Sequence, residues 1–535
     1  MGLTGNWDGR ISRRTLLRTS GSATAAYLLL GRSTRSASAA ASGANPFALG
    51  VASGDPTPNG VVLWTRLAPD PLNGGGMSDD VFGVRYEVAT DAAFGRIVRR
   101  GAVGARPDEA HSVHVELSGL QPDTYYWYRF KWGRTTSRVG RTRTAPPLGS
   151  TAPAPARFAY VSCQNWTNGF YGAYADLATR DVDLVVHLGD YIYEGSGLGA
   201  TNPNVRPHAP QAELFTLNDY RTRHAQYRTD MDLQDAHAKF PFLMTWDDHE
   251  FKDNYADLDL DPDQPLATVE LRRAAAYLAY WEHAPLPRAR KPVGKDMPLY
   301  RRLPWGALAT FHVLDTRQYR SDQVRANRCA TPAHFDPATG YCLDTLLDTR
   351  GILGTAQRDW LFEGLAAPGA AWNVIANQVG FAPMDFDTTS ARNFSRDNWD
   401  GYVADRQRVL DFLAAQGRGN TVVITGDAHQ NSVRNVPPDF HRLDGTPVAT
   451  EFLGTSITSE ADHRDAETSY GGDPNNPHRL LDDYHRGYVE VSLDPNLWSG
   501  EFRVVESVLT RIPVAAPLAT YVVHNGQPGG VRDGV

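Results

Sequence analysis

Five short apolar runs in this chain each break off into a cluster of polar, chemically active side chains. No other feature limits the fold as much. Residues 158–162 lead into Cys163-Gln164-Asn165, and residues 184–188 into Gly189-Asp190-Tyr191-Ile192-Tyr193-Glu194. Residues 242–246 lead into Asp247-Asp248-His249-Glu250, 374–376 into Asn377-Gln378, and 421–425 into Gly426-Asp427-Ala428-His429. Short apolar runs bounded by turn formers read as buried strands. In α/β sheets the carboxyl ends of strands are where sites form. Carboxylates gathered at such an edge repel one another unless cations hold them.

The candidate metal ligands are mostly oxygen donors: Asp190, Tyr193, Asp248, Asn254 and Asp427. The thiol of Cys163 and the imidazole of His429 complete the set. Closely spaced Cys and His, the zinc pattern, are missing. Hard cations such as Ca²⁺, Mg²⁺, Mn²⁺ or Fe³⁺ fit better, and a phenolate ligand suits Fe³⁺ in particular. Asp-Asp-His-Glu also has an ordinary reading, a helix N-cap followed by an acidic first turn. Combined with Gly-Asp-x-x-Tyr and Gly-Asp-Ala-His in one domain, it points to metal. Cys163 stands as a ligand, a buried structural thiol or a nucleophile; the last needs a paired histidine base, and no local signature supplies one.

Before this region the pattern is different. Residues 1–41 run from Ser12-Arg13-Arg14-Thr15-Leu16-Leu17 through a weakly apolar stretch to a Ser/Ala segment, the order of an export signal. The Arg-Arg pair resembles the twin-arginine class, so the export machinery is an expected partner and a secreted, cell-wall or periplasmic location is expected. The apolar stretch is too short for a stable membrane span. Residues 46–145 read as an N-terminal β domain of short strands at regular spacing, 146–156 as a linker, 157–515 as a catalytic domain and 516–535 as a C-terminal tail. Helices are expected over 171–180, 265–281, 355–365 and 406–416. Alternating strands and helices after residue 157 argue for a central sheet covered by helices. Cys329 and Cys342 lie in a loop-rich stretch and can close a disulfide in an oxidising compartment. The net charge is 53 − 61 = −8 with no long Lys/Arg run, which argues against a nucleic-acid-binding surface.

The sets Ser162-Cys163-Gln164, Gly189-Asp190-Tyr191-Ile192-Tyr193-Glu194, Trp246-Asp247-Asp248-His249-Glu250 with Asn254, and Gly426-Asp427-Ala428-His429 resemble the PhoD-type alkaline phosphatases. Further similarity runs through Gly50–Pro56, Leu314–Arg320 and Trp399–Tyr402, so the resemblance spans 46–510. It implies a metallophosphoesterase fold, a four-layer α/β/β/α sandwich, behind a fibronectin-like N-terminal β-sandwich. It also implies a site with Fe³⁺ and Ca²⁺: Cys163, Asp190 and Tyr193 on Fe³⁺, Asp190 bridging toward Ca²⁺, Asp248 and Asn254 as further ligands, and Asp427 and His429 closing the site. The wider superfamily opens with Asp-x-His where this chain has Ser162-Cys163-Gln164, and has Gly-Asn-His where it has Asp247-Asp248-His249. Two-zinc or two-manganese chemistry therefore does not transfer directly.

The function expected is hydrolysis of phosphate monoesters or diesters at neutral to alkaline pH by a metal-activated water, in a monomer. His249 is the candidate general acid; supporting Asp248 is its other reading. Arg317 suits either a phosphate clamp or a structural ion pair. A Ca²⁺-dependent phospholipase D and a non-catalytic exported binding protein with a vestigial site are the alternatives.

Overall fold

The computed structural model describes residues 44–150, 155–197, 206–259, 265–387, 392–439, 445–462, 468–511 and 513–534. The expected export signal lies outside them. Every residue of Leu184–His187, Trp372–Ala376 and Thr421–Thr425 is buried. Strands apolar on both faces need a layer on each side. The chain meets that need with two facing sheets and a helical layer outside each.

The first strands are β1 (Val51–Thr57), β2 (Gly60–Arg66), β3 (Phe82–Ala89), β4 (Ile97–Ala105), β5 (Ser112–Leu117), β6 (Tyr125–Trp132), β7 (Thr135–Thr136) and β8 (Gly140–Arg143). Next come β9 (Ala156–Val161), β10 (Leu184–His187), β11 (Pro241–Met244), β12 (Arg301–Trp305), β13 (Ala309–Val313), β14 (Trp372–Ala376) and β15 (Thr421–Thr425). The last are β16 (Asn431–Val436), β17 (Ala449–Leu453), β18 (Arg479–Asp483), β19 (Gly487–Leu493), β20 (Leu497–Val505), β21 (Ala515–His524) and β22 (Gln527–Arg532). The α-helices among the described residues are α1 (Gly172–Leu177), α2 (Leu217–Arg228), α3 (Met231–Lys239), α4 (Leu266–His283), α5 (Gly354–Ala366) and α6 (Val403–Gln416).

One sheet has ten strands in the order β22-β21-β20-β19-β9-β10-β11-β1-β2-β5, and the other seven in the order β12-β13-β14-β15-β17-β16-β18. Strand alternation sorts the side chains into layers. Phe158 and Tyr160 face the second sheet with Phe311, Val374 and Ile424, while Ala159 and Val161 face α1–α4. On the far side Ile375 and Val423 meet Leu361, Val409 and Leu410 of α5 and α6. The single central sheet read from the strand–helix alternation is thus two sheets. That is the metallophosphoesterase sandwich which the resemblance implied.

The N-terminal β-sandwich shares a sheet with the rest. β3, β4, β6 and β8 pack over β1, β2 and β5 around Val51, Leu63, Val84, Val115 and Tyr128. The same β1 pairs in parallel with β11, Ser53 opposite Pro241 and Gly54 opposite Phe242. A Cβ at Gly54 would sit 2.7 Å from the Phe242 carbonyl oxygen, so only glycine permits this approach. In the segment that resembles a tyrosine corner, Tyr126 Oη accepts the Gln121 N–H at 2.9 Å.

Two expectations need correction. Residues 516–535 are not a tail: β21 and β22 extend the ten-stranded sheet, with Ala519, Tyr521 and Val523 buried between the sheets. Their every-second-residue apolar pattern is that of a half-buried strand. Helices α2 and α3 were not anticipated. Thr216 and Asp219 form a capping box at the start of α2, but its buried residues mix Arg223, His224, Gln226 and Arg228 with Tyr220, Ala225 and Tyr227, which hides the apolar stripe. The four expected helices are α1, α4, α5 and α6 with shifted ends. Cys329 and Cys342 are disulfide-bonded, with Cα atoms 5.6 Å apart. No helix of the described residues is long and apolar enough to cross a membrane.

Phe158 sits between the sheets, its ring centroid 5.1 Å from Phe311 and 5.5 Å from Trp498. Truncating such a ring leaves a cavity that neighbours on two rigid sheets cannot close. Phe158→Ala is expected to lower stability by about 3–5 kcal/mol, measured by urea denaturation.

Candidate metal centre

The loops after β9, β10, β11 and β15 turn sharply, and the turning residues are the expected ligands. Cys163 (φ 58°), Asp190 (φ 56°), Asn254 (φ 56°), Asp427 (φ 62°) and His429 (φ 51°) all lie in the left-handed region. For residues with a Cβ this region is sparsely populated and costs energy, and such residues cluster at functional sites. The Cys163 N–H donates to the Gly189 carbonyl and the Gln164 N–H to the Asp190 carbonyl, both at 3.1 Å, tying the first two loops together. Gly189 (φ 116°) cannot be replaced there, because a Cβ would lie 2.5 Å from Asp247.

The result is one continuous set of donors. Ligand atoms of Cys163, Asp190 and His429 lie within 4.8 Å of one another, as do those of Asp190, Asp248 and His249, and those of Asp247, Asp248 and Asp427. Asp190 belongs to the first two groups and Asp248 to the last two. Tyr193 joins through its hydroxyl, which donates to Asp190 Oδ2 at 2.9 Å and lies 3.3 Å from His429 Nε2. Asn254 sits at the exposed rim; its backbone N–H donates to Asp248 Oδ2 at 2.6 Å and its side-chain amide to Asp253. Asn377 and Gln378, after β14, are used elsewhere: they bond Trp399, Thr316 and Thr245.

Electrostatics mark the cluster as cation-seeking. Burial, reinforced by Asp190, pushes the Cys163 thiol well above its usual range. Burial with neighbouring carboxylates does the same to Asp190 and Asp427. Tyr193 is raised by burial and by Asp190. The protein alone therefore favours the proton-bearing form of these groups, and a bound cation reverses that balance. Asp190 Oδ1 is buried with no hydrogen-bond partner. The donor set, carboxylates with one thiol, one phenol and one imidazole, fits hard cations better than zinc.

Several residues outside the candidate ligand set hold it in place. The Glu250 carboxylate accepts the backbone N–H groups of Asp190 (3.0 Å), Tyr191 (2.5 Å) and Asp247 (2.8 Å). Burial raises Glu250 to about 8 despite these bonds. Arg317 has no exposed surface and is paired with Asp247 at 2.5 Å and Asp397 at 2.6 Å. Of its two readings, the structural ion pair is the one present. Its Nη2 also lies 3.7 Å from Asp248 Oδ2 and 3.9 Å from Asp427 Oδ1. Burial works against an ionised Asp248, but Arg317 and His249 outweigh it and hold this carboxyl below its ordinary value. Ser459 Oγ lies 2.7 Å from the Cys163 carbonyl and 2.6 Å from Tyr193 Oη. Glu194 Oε2 lies 2.7 Å from His249 Nδ1. Glu194 and Asp247 were legible, being adjacent to quoted motif residues; Ser459 and Asp397 have no local signal.

Known proteins resemble this chain in sequence and in fold. Residues 158–502 match the PhoD-like phosphatase family and 33–146 match the PhoD-like phosphatase N-terminal domain. The chain is 45% identical over 487 residues to alkaline phosphatase D of Bacillus subtilis (strain 168), covering 90% of this chain and 82% of that protein. A solved structure described as PhoD superposes with a TM-score of 0.82 at 43% identity, covering 92% of each chain. A purple acid phosphatase from yellow lupin (Lupinus luteus) seeds shares the fold, with a TM-score of 0.52 at 11% identity over 89% of this chain and 73% of that one.

The hydrogen bonds of Glu250 go to backbone N–H groups, and through them it fixes the backbone of two of the loops. In Glu250→Gln an amide N–H₂ must face backbone donors. Metal affinity is expected to fall by about 10–100-fold, read by equilibrium dialysis against metal-buffered solutions.

Proposed function

The chain belongs to the PhoD-like phosphatase family and is a phosphoric ester hydrolase of the alkaline phosphatase D type, and from that premise we propose that it is an exported enzyme cleaving soluble phosphate mono- and diesters with Fe³⁺ and Ca²⁺. One observation carries the metal reading. Asp190 spends Oδ2 on the Tyr193 hydroxyl and leaves a buried Oδ1 unpartnered where two donor groups meet. An oxygen so placed is available to a cation. Cys163, Asp190, Tyr193 and His429 would hold Fe³⁺, and Asp190, Asp248 and Asp427, with Asn254 at the rim, would hold Ca²⁺. When bound, such ions neutralise charge on the phosphoryl oxygens and acidify a water for in-line attack. Export through the twin-arginine route is supported by Ser12-Arg13-Arg14-Thr15-Leu16-Leu17.

His249 delivers the proton to the departing oxygen. Its ring is fixed twice, by Nδ1 against Glu194 Oε2 at 2.7 Å and by packing against Tyr193 with centroids 4.1 Å apart and the rings tilted by 31°. With Nδ1 committed, Nε2, which lies 3.7 Å from Asp253 Oδ1, is the nitrogen that serves a substrate. Burial alone would favour the neutral ring, but Asp248, Glu194 and Asp190 outweigh it and hold the imidazolium well above its ordinary range. Glu194 in turn is kept ionised, near 2: burial works against this, and His249 more than offsets it.

His249→Asn is expected to keep its metal content while losing about 10²–10⁴-fold in turnover of alkyl phosphate esters, and much less with p-nitrophenyl esters, whose leaving group needs no proton. Inorganic phosphate is the readout, with choline release from phosphatidylcholine as the control for a phospholipase. Equal losses on both ester types would refute the acid role. The purified enzyme is also expected to absorb visible light through the phenolate–iron pair. Tyr193→Phe should bleach that band at unchanged iron content; a fully active, colourless wild type would refute the iron assignment.

A further inference from the structure

Arg228, at the end of α2, carries a charge that the fold does not answer. It has no exposed surface, and its guanidinium lies 4.1 Å over the ring of Trp64. Nη2 donates to the His283 carbonyl at 3.2 Å; Nε and Nη1 make no hydrogen bond of good geometry, and the neutral Tyr191 hydroxyl is the other polar group beside them. The groups that act on it most are the phenols of Tyr191, Tyr128 and Tyr174, and it forms no ion pair among the described residues. Nearby carboxylates are already engaged: Glu282 takes Arg221 at 2.5 and 2.7 Å, and Asp230 takes Arg206 at 2.6 Å. A third guanidinium, Arg66, rests on the Ala110 carbonyl and His283 Nε2 and draws on the same Glu282.

Other buried polar atoms around Arg228 are poorly served too: both ring nitrogens of His224 and Nδ1 of His237 have no partner, and the hydroxyls of Tyr128 and Ser53 have only each other. Burial, with Arg228 beside them, holds His224 down to about 3 and His237 well below its ordinary value, so neither adds charge. Ser53, Trp64 and Tyr128 belong to the N-terminal sandwich, and His224, Arg228 and His237 to α2 and α3. Tyr191, whose hydroxyl lies 3.0 Å from His237 Nε2, follows the metal-loop residue Asp190. This cluster of buried polar groups thus lies in the seam between the sandwich and the catalytic half.

A guanidinium cannot shed its proton, and a lone buried ion is strongly unfavourable. Water can satisfy orphan donors, but it cannot balance charge. We propose that this cluster binds a small inorganic anion of halide size, which neutralises Arg228 and fastens the sandwich to the catalytic half behind the metal loop. With Arg228 packed over Trp64 at 4.1 Å and His224 stacked on His283 at 5.1 Å, a monatomic anion asks least of this packing.

The test uses the full mature protein as purified. Crystals grown with bromide replacing chloride are expected to show an anomalous difference peak beside Arg228 Nη1. A peak at water height with no anomalous signal would overturn the proposal. In parallel, chloride titrated against gluconate at fixed ionic strength is expected to raise the wild-type Tm by a few degrees and to saturate. Arg228→Met is expected to lose that response, as is any halide peak at the site. A wild type with no saturable response, or a response that survives intact in Arg228→Met, would overturn it. If that variant does not fold, the bromide experiment on the wild type still decides.

Discussion

How closely the acidic loops can approach is set by Arg317. Its guanidinium, without exposed surface, is shared between Asp247 and Asp397 and stands within 4 Å of Asp248 and Asp427. Several buried carboxylates around one point would otherwise drive their loops apart. The pair is geometric as well as electrostatic, since a planar fork fixes the angle between the carboxylates it bridges. One face of the cluster is thereby neutralised by the protein, and the other, around Asp190 and Cys163, is left for cations. Burial and Asp190 keep the thiol protonated there in the absence of metal.

The backbone cooperates with this charge arrangement. Buried strands bring their ends to one edge, and left-handed residues at that edge turn the chain so that side chains from both sheets meet. Such conformations persist only when the surroundings over-determine them. Glu250, with three backbone N–H groups on one carboxylate, and Ser459, between Cys163 and Tyr193, provide that over-determination.

What could be read from the sequence follows from what is local. Cys163, Asp190, Asp248, Asp427 and His429 were legible because each follows an apolar strand within a few residues, and strand ends are where sites form. Asp397 and Ser459 were not, because their roles exist only once distant loops have met. Helix α2 escaped notice for another reason: hydrophobic periodicity finds helices that bury apolar stripes, and this one buries two arginines, a histidine and a glutamine among its tyrosines. The sheet shared between the sandwich and the catalytic half was equally hidden. The pairing of β1 with β11 joins residues far apart in the chain, and nothing near Ser53 announces its partner.

Strand order in the large sheet has a consequence for the nascent chain. β9, which leads to Cys163, is flanked on one side by β10 and on the other by β19, so its second edge stays open until the 487–493 segment exists. Once β19 is in place, β20 to β22 add on as pairings between consecutive strands. The pairing of β9 with β19 is the one of long sequence separation, the kind that forms slowly. Until it forms, one edge of the strand that carries Cys163 stays uncovered, and that interval is when a chaperone has most to protect.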